Sequence, residues 1–322
     1  MTVNDCLLRR GFDFNIFSPQ SLPLTPGGDV VGTIIEVGSG GGGVSTAADA
    51  ETDTPGFAVG DRVAALVRSG GNARYVRVPQ HHLVKVPSSL DAGEVAALVS
   101  IYTTAYQALR SISSNHPMFS LEGKNVLILG GLDGVGQALM QLCKKAKATV
   151  YVVAPAKRHS YLRSYLGVLP LNGDSWLSAV KEEIDYVFDG ICENGSEEPL
   201  KALKAGGELV SYAQAAMLQE ESIGMFGVPL HAHMNKIHGM LSSTHHSIDI
   251  WQSFKDDPER YKNDLKNLMQ WLKWKKIVPH IAKRVSLAQV GAAQAKLEVG
   301  DVRGTIICFP GKSLPSNKSE RE

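Results

Sequence analysis

Asn125-Val126-Leu127-Ile128-Leu129-Gly130-Gly131-Leu132-Asp133-Gly134-Val135-Gly136 is the stretch on which the fold turns. NVLIL is an apolar run without alternation, the pattern of a short strand buried on both faces. A glycine-rich turn follows, and then Val135, Leu139, Leu142 and Ala146 recur at helical spacing. Strand, glycine turn and amphipathic helix, in that order, form a cradle for phosphates. Glycines permit the tight turn, the close approach of backbone to a pyrophosphate and the close packing of helix on strand. The first turn of the helix adds free N–H groups and the positive end of its dipole. Gly131, Gly134, Val135 and Gly136 are the candidate cradle residues. Asp133 stands where the pattern has its second glycine, and it brings bulk and negative charge towards the phosphates.

Downstream, strand and helix alternate. Thr149 to Val153 reads as the next strand, followed by a basic helix from Lys157 to Tyr165; Asp185 to Phe188 and Glu208 to Tyr212 read as further strands. Such alternation predicts a parallel sheet with helices on both faces and right-handed crossovers. An acid at the end of the second strand would hold the ribose hydroxyls of an unphosphorylated dinucleotide. Here that position reads Ala154-Pro155-Ala156-Lys157-Arg158, two cations and no carboxylate. Lys157 and Arg158 therefore point to a 2′-phosphate, hence to NADPH.

Upstream, Asp29 to Val37, Asp61 to Leu66 and Ala73 to Pro79 read as short strands punctuated by glycine and proline, and Glu94 to Ala108 reads as helix. The segment 39–56 is dominated by glycine and small polar residues and is expected to be a surface loop. Ser247 to Lys276 reads as a broken helical region whose second part starts at Asp256-Asp257-Pro258. Its end, WLKWKK at 271–276, fits a membrane-surface helix or a solvated helix with its tryptophans turned inward. The tail from Gly311 is polar. Gly311-Lys312-Ser313 ends like a P-loop, but Ile306 occupies the first glycine position.

The chain has 322 residues and a formal net charge of +1, enough length for two domains and no general attraction to nucleic acid. Cys6, Cys143, Cys192 and Cys308 include no CxxC pair, so neither a disulfide framework nor a zinc ribbon is indicated. No apolar run is long enough to span a bilayer. His231, His233, His238, His245 and His246 cluster in sequence without a metal-ligand spacing, which predicts surface or helix-end histidines and no metal site.

Several segments, in order, resemble the zinc-independent medium-chain dehydrogenase/reductases, the quinone oxidoreductases and VAT-1 homologues among them. They are Asp5 with Arg9-Arg10-Gly11, Pro26 to Gly32 (PGGDVVG), Gly60 to Val63 (GDRV), Ser69 to Tyr75 (SGGNARY), Tyr102 to Tyr106 (YTTAY), Gly134 to Gly136 with Gln141-Leu142, and Gly206 to Val210 (GGELV). The resemblance implies an α/β fold: a GroES-like β-rich catalytic domain at 1–104, a Rossmann doubly wound parallel sheet at 105–276, a return to the catalytic domain at 277–310, and a disordered tail at 311–322. It also implies that family strands preceding Asp5 are missing. Zinc-dependent members carry a GHE motif whose histidine binds the metal; Gly27-Gly28-Asp29 stands in its place. The implied activity is hydride transfer from NADPH to a quinone or an enone without zinc. Thr104, Ala213 and Ser242 match positions near the nicotinamide. Tyr102 matches a tyrosine lining the cleft, where it orients a carbonyl oxygen, relays a proton or merely packs. A cytoplasmic homodimer acting on a small molecule, with peripheral membrane contact allowed, is expected. The alternative is a catalytically degenerate Rossmann protein acting as a nucleotide sensor or membrane-associated adaptor, which Asp133 and the missing strands favour.

Overall fold

The computed structural model describes residues 1–11, 22–38, 56–112, 120–130, 134–173, 175–192, 197–212 and 244–311. The expected surface loop at 39–56, apart from Gly56, and the tail beyond Gly311 lie outside them.

The first sheet is antiparallel: β1 (Asp29–Thr33), β2 (Arg62–Leu66) and β3 (Val84–Lys85) pair in that order. β2 is the centre of this sheet, and Val63, Ala64, Ala65 and Leu66 are all buried. Ahead of it, helix α1 (Val3–Arg9) presents Asp5, whose carboxylate accepts from Thr2 N at 2.8 Å and from Gly27 N at 3.0 Å. The PGGD and SGGN segments interlock through the main chain, Gly71 N donating to Gly27 O and Asn72 N to Pro26 O, both at 2.9 Å. Gly27 has φ +108°, and a Cβ there would run into the backbone of Asn72, so only glycine admits this approach. Residues 73–79, read from the sequence as a short strand, run without a ladder.

The expected helix over 94–108 is present but interrupted. Helix α2 (Ala92–Ala97), capped by Asp91, widens into a π turn at Leu98–Tyr102 before α3 (Thr103–Ser111) begins. α3 runs through residue 104 without a break.

The second sheet has six strands, all parallel, in the order β6 (Leu169–Leu171), β5 (Thr149–Val153), β4 (Asn125–Leu129), β7 (Ile184–Asp189), β8 (Leu203–Ser211) and β9 (His245–Ser247). Counted along the chain, this is the doubly wound order in which the direction of winding reverses between the first and fourth strands, β4 and β7. The apolar run at β4 explains itself. Val126 and Ile128 face one side, among Leu139 and Leu142 of α4 (Gly134–Lys145) and Leu265 and Leu268 of a later helix. Leu127 and Leu129 face the other, among Trp176, Val180 and Val187. Burial of successive side chains on opposite faces is what a strand covered by helices on both sides requires. α5 (His159–Tyr161), flanked by a 3-10 turn and a π turn, follows β5; α6 (Trp176–Val180) and α7 (Glu197–Ala202) cover the second face.

Past β9, α8 (Ile250–Asp256) gives way to α9 (Pro258–Lys273), with Asp257 as N-cap and Pro258 at the first turn, where the sequence predicted the break. Trp271 packs edge-on to Tyr106 at 5.8 Å between ring centres, while Trp274 is 56% exposed beside Lys276. The chain ends in a parallel pair, β10 (Ile281–Val285) and β11 (Thr305–Cys308), with α10 (Val290–Glu298) between them. This segment packs on α1 and α2: Arg9 pairs with Glu298, and Arg284 with Asp91 at 2.8 Å. Among the described residues no helix is long and apolar enough to cross a membrane.

α9 is clamped to α3 by Asp264, buried, which accepts from Arg110 Nη1 at 2.7 Å and Gln107 Nε2 at 3.3 Å. Burial pushes the Asp264 carboxyl up and Arg110 opposes it. Removing one partner of such a pair strands a buried charge, which costs about 3–5 kcal/mol, whereas an apolar replacement of the pair is tolerated. Arg110→Ala is therefore expected to lower unfolding stability by about 3 kcal/mol in urea titrations. The double variant Arg110→Leu/Asp264→Leu should recover most of that loss.

Candidate functional site

The groove at the carboxyl ends of β4 and β7, where the winding reverses, is where an open α/β sheet binds its ligand. α4 starts there at Gly134, immediately beyond the turn that leaves β4, and its first turn holds Gly134, Val135 and Gly136. Gly131 and Asp133 lie outside the described residues. A Cβ on Gly134 would sit 2.8 Å from Thr305 Oγ1 and 2.9 Å from Ile101 Cδ1. The start of α4 is thus pressed by the π turn on one side and the first residue of β11 on the other, and glycine is what lets all three meet.

Tyr102 and Thr104, the sequence's candidates for the reacting end, are both buried. They are held by the π turn. A π turn leaves a helix carbonyl without its usual partner. Here Val99 O accepts twice, from Thr103 Oγ1 at 2.6 Å and from the buried Tyr261 hydroxyl of α9, also at 2.6 Å. The turn is therefore anchored from both sides, and Ile101 within it reaches Gly134.

Lys157 and Arg158 form a 3-10 turn after β5, one strand away from β4. Among the described residues neither enters an ion pair. Ala213 and Ser242 lie outside the described residues, so the late strand ends are represented by Ser211, Tyr212 and Ser247. Sequence reading missed Tyr212. Its ring lies over Gly190, just past β7, and its hydroxyl donates to Leu129 O of β4 at 3.2 Å. It also missed Asp189, whose buried carboxylate accepts from Ile191 N and Cys192 N at 2.9 Å, shaping the turn beyond β7. Counting strands would have found both, because β7 is the partner of β4 across the reversal.

His245 and His246 correct the expectation of surface or helix-end histidines. They form β9, where His245 is buried with Nε2 at 2.9 Å from Ser211 Oγ, and His246 Nε2 lies 2.8 Å from Glu208. Pairing to β8 draws these polar residues into the sheet. His231, His233 and His238 lie outside the described residues. Among the described residues no cluster of three or more His, Cys, Asp or Glu side chains is arranged to hold a metal ion. None of the four cysteines forms a disulfide, and burial pushes the Cys6 thiol up to about 12, so it is no nucleophile at neutral pH.

Asp29, in place of the metal-binding GHE acid, opens β1 beside Ser100 of the π turn. Burial pushes its carboxyl from 3.8 up to about 6.

The alcohol dehydrogenase GroES-like domain matches residues 3–88 and the zinc-binding dehydrogenase domain matches residues 171–307, in the order the two sheets occur. The chain belongs to the medium-chain dehydrogenase/reductase family. Its similarity to curated members is distant. The synaptic vesicle membrane protein VAT-1 homolog-like of Mus musculus is 28% identical over 227 residues, 69% of this chain and 49% of that protein. The human synaptic vesicle membrane protein VAT-1 homolog is 30% identical over 221 residues, 66% of this chain and 51% of that protein. The chain thus spans about half the length of these curated relatives. Among solved structures, human VAT-1 homolog-like protein superposes with a TM-score of 0.71 at 22% identity, over 98% of this chain and 87% of that one. Escherichia coli quinone oxidoreductase, solved with NADPH, gives 0.70 at 18% identity, over 92% and 85%. The fold of this family member is that of the quinone oxidoreductases, a GroES-like sheet joined to a Rossmann sheet.

Two outcomes follow from the π turn and Asp29. Tyr261→Phe removes one of the two donors to Val99 O while Thr103 Oγ1 remains, and is expected to cost about 0.5–1.5 kcal/mol in unfolding stability. The check is chemical denaturation, with loss of protection at the amides of 98–104 in hydrogen exchange. For Asp29, the folded carboxyl holds its proton more tightly than an unfolded aspartate, so stability falls as pH rises from about 4 through about 6. Asp29→Asn should abolish that part of the pH dependence and be more stable than the parent at pH 7, by on the order of 2–3 kcal/mol. Thermal melts across pH 4 to 7 would show it.

Proposed function

We propose that this chain is an NADPH-dependent, zinc-independent reductase that transfers hydride to a quinone or an α,β-unsaturated carbonyl. One observation carries the reading: the glycine-started helix α4 stands at the reversal of the parallel sheet, with the Tyr102–Thr104 segment packed against its first turn through Ile101. The groove's residues fit a phosphorylated dinucleotide. Gly134 and Gly136 keep side chains away from the start of α4, and the first turn of a helix suits a pyrophosphate. The end of β5 carries no carboxylate to repel a 2′-phosphate, and Lys157 is exposed to meet one.

When bound, the nicotinamide supplies the hydride, and the protein supplies position and electrostatics. Thr104 is the residue at the nicotinamide end of the groove. Tyr102 orients the acceptor's carbonyl oxygen and relays the proton that balances the transferred hydride. Gly28 replaces the histidine of the metal-binding motif, so polarisation of the acceptor falls to such hydrogen-bond donors. Quinones and enones accept hydride with that little help, which is why they are preferred here over simple alcohols and ketones.

The test is titration of the purified, folded protein with NADPH and with NADH, following nicotinamide fluorescence, and then turnover on a panel of quinones and enones. Micromolar NADPH binding is expected, weakened about tenfold or more by Lys157→Ala/Arg158→Ala, since charge-assisted contacts are worth about 1.5–3 kcal/mol. Tyr102→Phe should lower kcat with little change in NADPH affinity. Absence of binding to either dinucleotide would sink the reductase reading and leave the adaptor reading, which Asp133 favours.

A further inference from the structure

Where the antiparallel sheet meets the helices beyond β9, an imidazole makes the contact. His82 ends the 3-10 turn Gln80–His82 that leads into β3, and its Nδ1 lies 3.3 Å from Leu66 O at the end of β2. A carbonyl only accepts, so Nδ1 is assigned the proton of the neutral ring. The ring enters a notch on α8. It stands edge-on to Phe254 at 4.7 Å and to Trp251 at 6.0 Å between ring centres, and those two rings stack on each other at 5.7 Å. Phe254 is buried and meets Tyr261 edge-on at 5.2 Å, the same tyrosine that anchors Val99 O.

The notch suits a neutral ring and not a charged one. Trp251 Nε1 is buried without an acceptor among the described residues, and indole is a donor only, so it gives nothing to a second ring N–H. On the same turn His81 lies edge-on to His82 at 4.5 Å. From α9, Lys262 adds positive charge, with Glu259 as its own ion partner. On α8, Lys255 covers the Trp251 ring at 5.9 Å, Asp249 caps the helix start and Asp256 accepts from Gln252. From β2 comes the Leu66 carbonyl, which Nδ1 already uses. Burial, and after it His81, hold His82 below its ordinary 6.5, against the opposing pull of the Leu66 carbonyl.

We propose that His82 is an acid-released latch between the antiparallel sheet and α8. Neutral, it seats the 80–82 turn in the Trp251–Phe254 notch; protonated at Nε2, it leaves the notch, and the turn and α8 part. The folded contact favours the neutral ring, so the latch's contribution is whole above about 6.5 and is lost as pH falls below it. No cofactor or acceptor takes part, so the latch and the reductase reading stand or fall separately.

Hydrogen exchange of the full chain without ligand, at about pH 7.5 and about pH 5.5 and corrected for the pH dependence of chemical exchange, follows the latch. Segments 80–86 and 250–256 are expected to lose protection by about threefold or more at the lower pH. His82→Phe keeps a ring in the notch and cannot be protonated, so its protection there should be the same at both. His82→Asn keeps a donor for Leu66 O and is the second variant, expected to show lower protection throughout and no response to pH. Asp29 titrates in a neighbouring range with the opposite sign, but it does so in parent and variants alike and cancels in the comparison. Equal loss in parent and variants would overturn the latch, as would a parent whose protection is the same at both pH values. Exchange at the imidazole C2 position, followed by mass spectrometry, gives the titration of His82 without any variant, and a midpoint at or above 6.5 would overturn the latch as well.

Discussion

A carbonyl released from its helix and buried must find another donor, because leaving it bare costs about 1–3 kcal/mol. Val99 O is in that position, and the two hydroxyls that answer it come from different parts of the chain: Thr103 from the next turn and Tyr261 from α9. Much of the site's architecture hangs on this junction. It sets the π turn, the π turn carries Ile101 to the start of α4, and Tyr102 and Thr104 follow on the same rigid element. α9 is held in turn by the Arg110–Asp264 pair on α3. The π turn, α3 and α9 are thereby fixed to one another by one buried cluster of polar contacts.

The parallel sheet was legible where its strands are buried on both faces. β4 is an apolar run, β5 is β-branched and aromatic with Val150 and Val152 buried, and β7 carries the buried run Tyr186 to Phe188, so nothing in a local pattern competes with the strand signal. β6 and β9 were not legible. Leu169-Pro170-Leu171 contains a proline that an edge strand tolerates, and His245-His246-Ser247 is polar throughout; each becomes a strand through pairing with a neighbour. The reverse error fell at 73–79, where a stretch bounded by glycines and proline suggested a strand and the chain instead follows the glycine interlock of 26–29 with 69–72. The π turn had no local signal, since its anchor is Tyr261. In the site, Gly134 to Gly136, Lys157 and Arg158 could be read from spacing and charge. Thr305 and Tyr212 could not, because what brings them to the candidate groove is the return of the chain and the sheet order.

Family membership and fold narrow the chemistry without naming the acceptor. The GroES-like and Rossmann sheets are shared by enzymes with metal and without, and by relatives named for vesicle membranes. What distinguishes this chain lies in particular side chains: glycine in place of the metal histidine, cations where a ribose-binding acid would stand, and a tyrosine at the end of the π turn.

The hairpin of β1 and β2 closes on itself before its connection begins. Thr33 pairs with Arg62, and the next two main-chain bonds, Ile34 N to Asp61 O and Gly60 N to Ile34 O, bring residues 34 and 60 side by side. The stretch joining them therefore leaves and re-enters the sheet at one point, and its length has no bearing on strand register. Closure entropy grows only with the logarithm of length, so doubling such a connection costs about 0.6 kcal/mol. For the engineer, this makes the join between residues 34 and 60 a port, a place where a fluorescent reporter or an affinity handle can be spliced in while the interlocked glycines and the groove beyond them are left as they are.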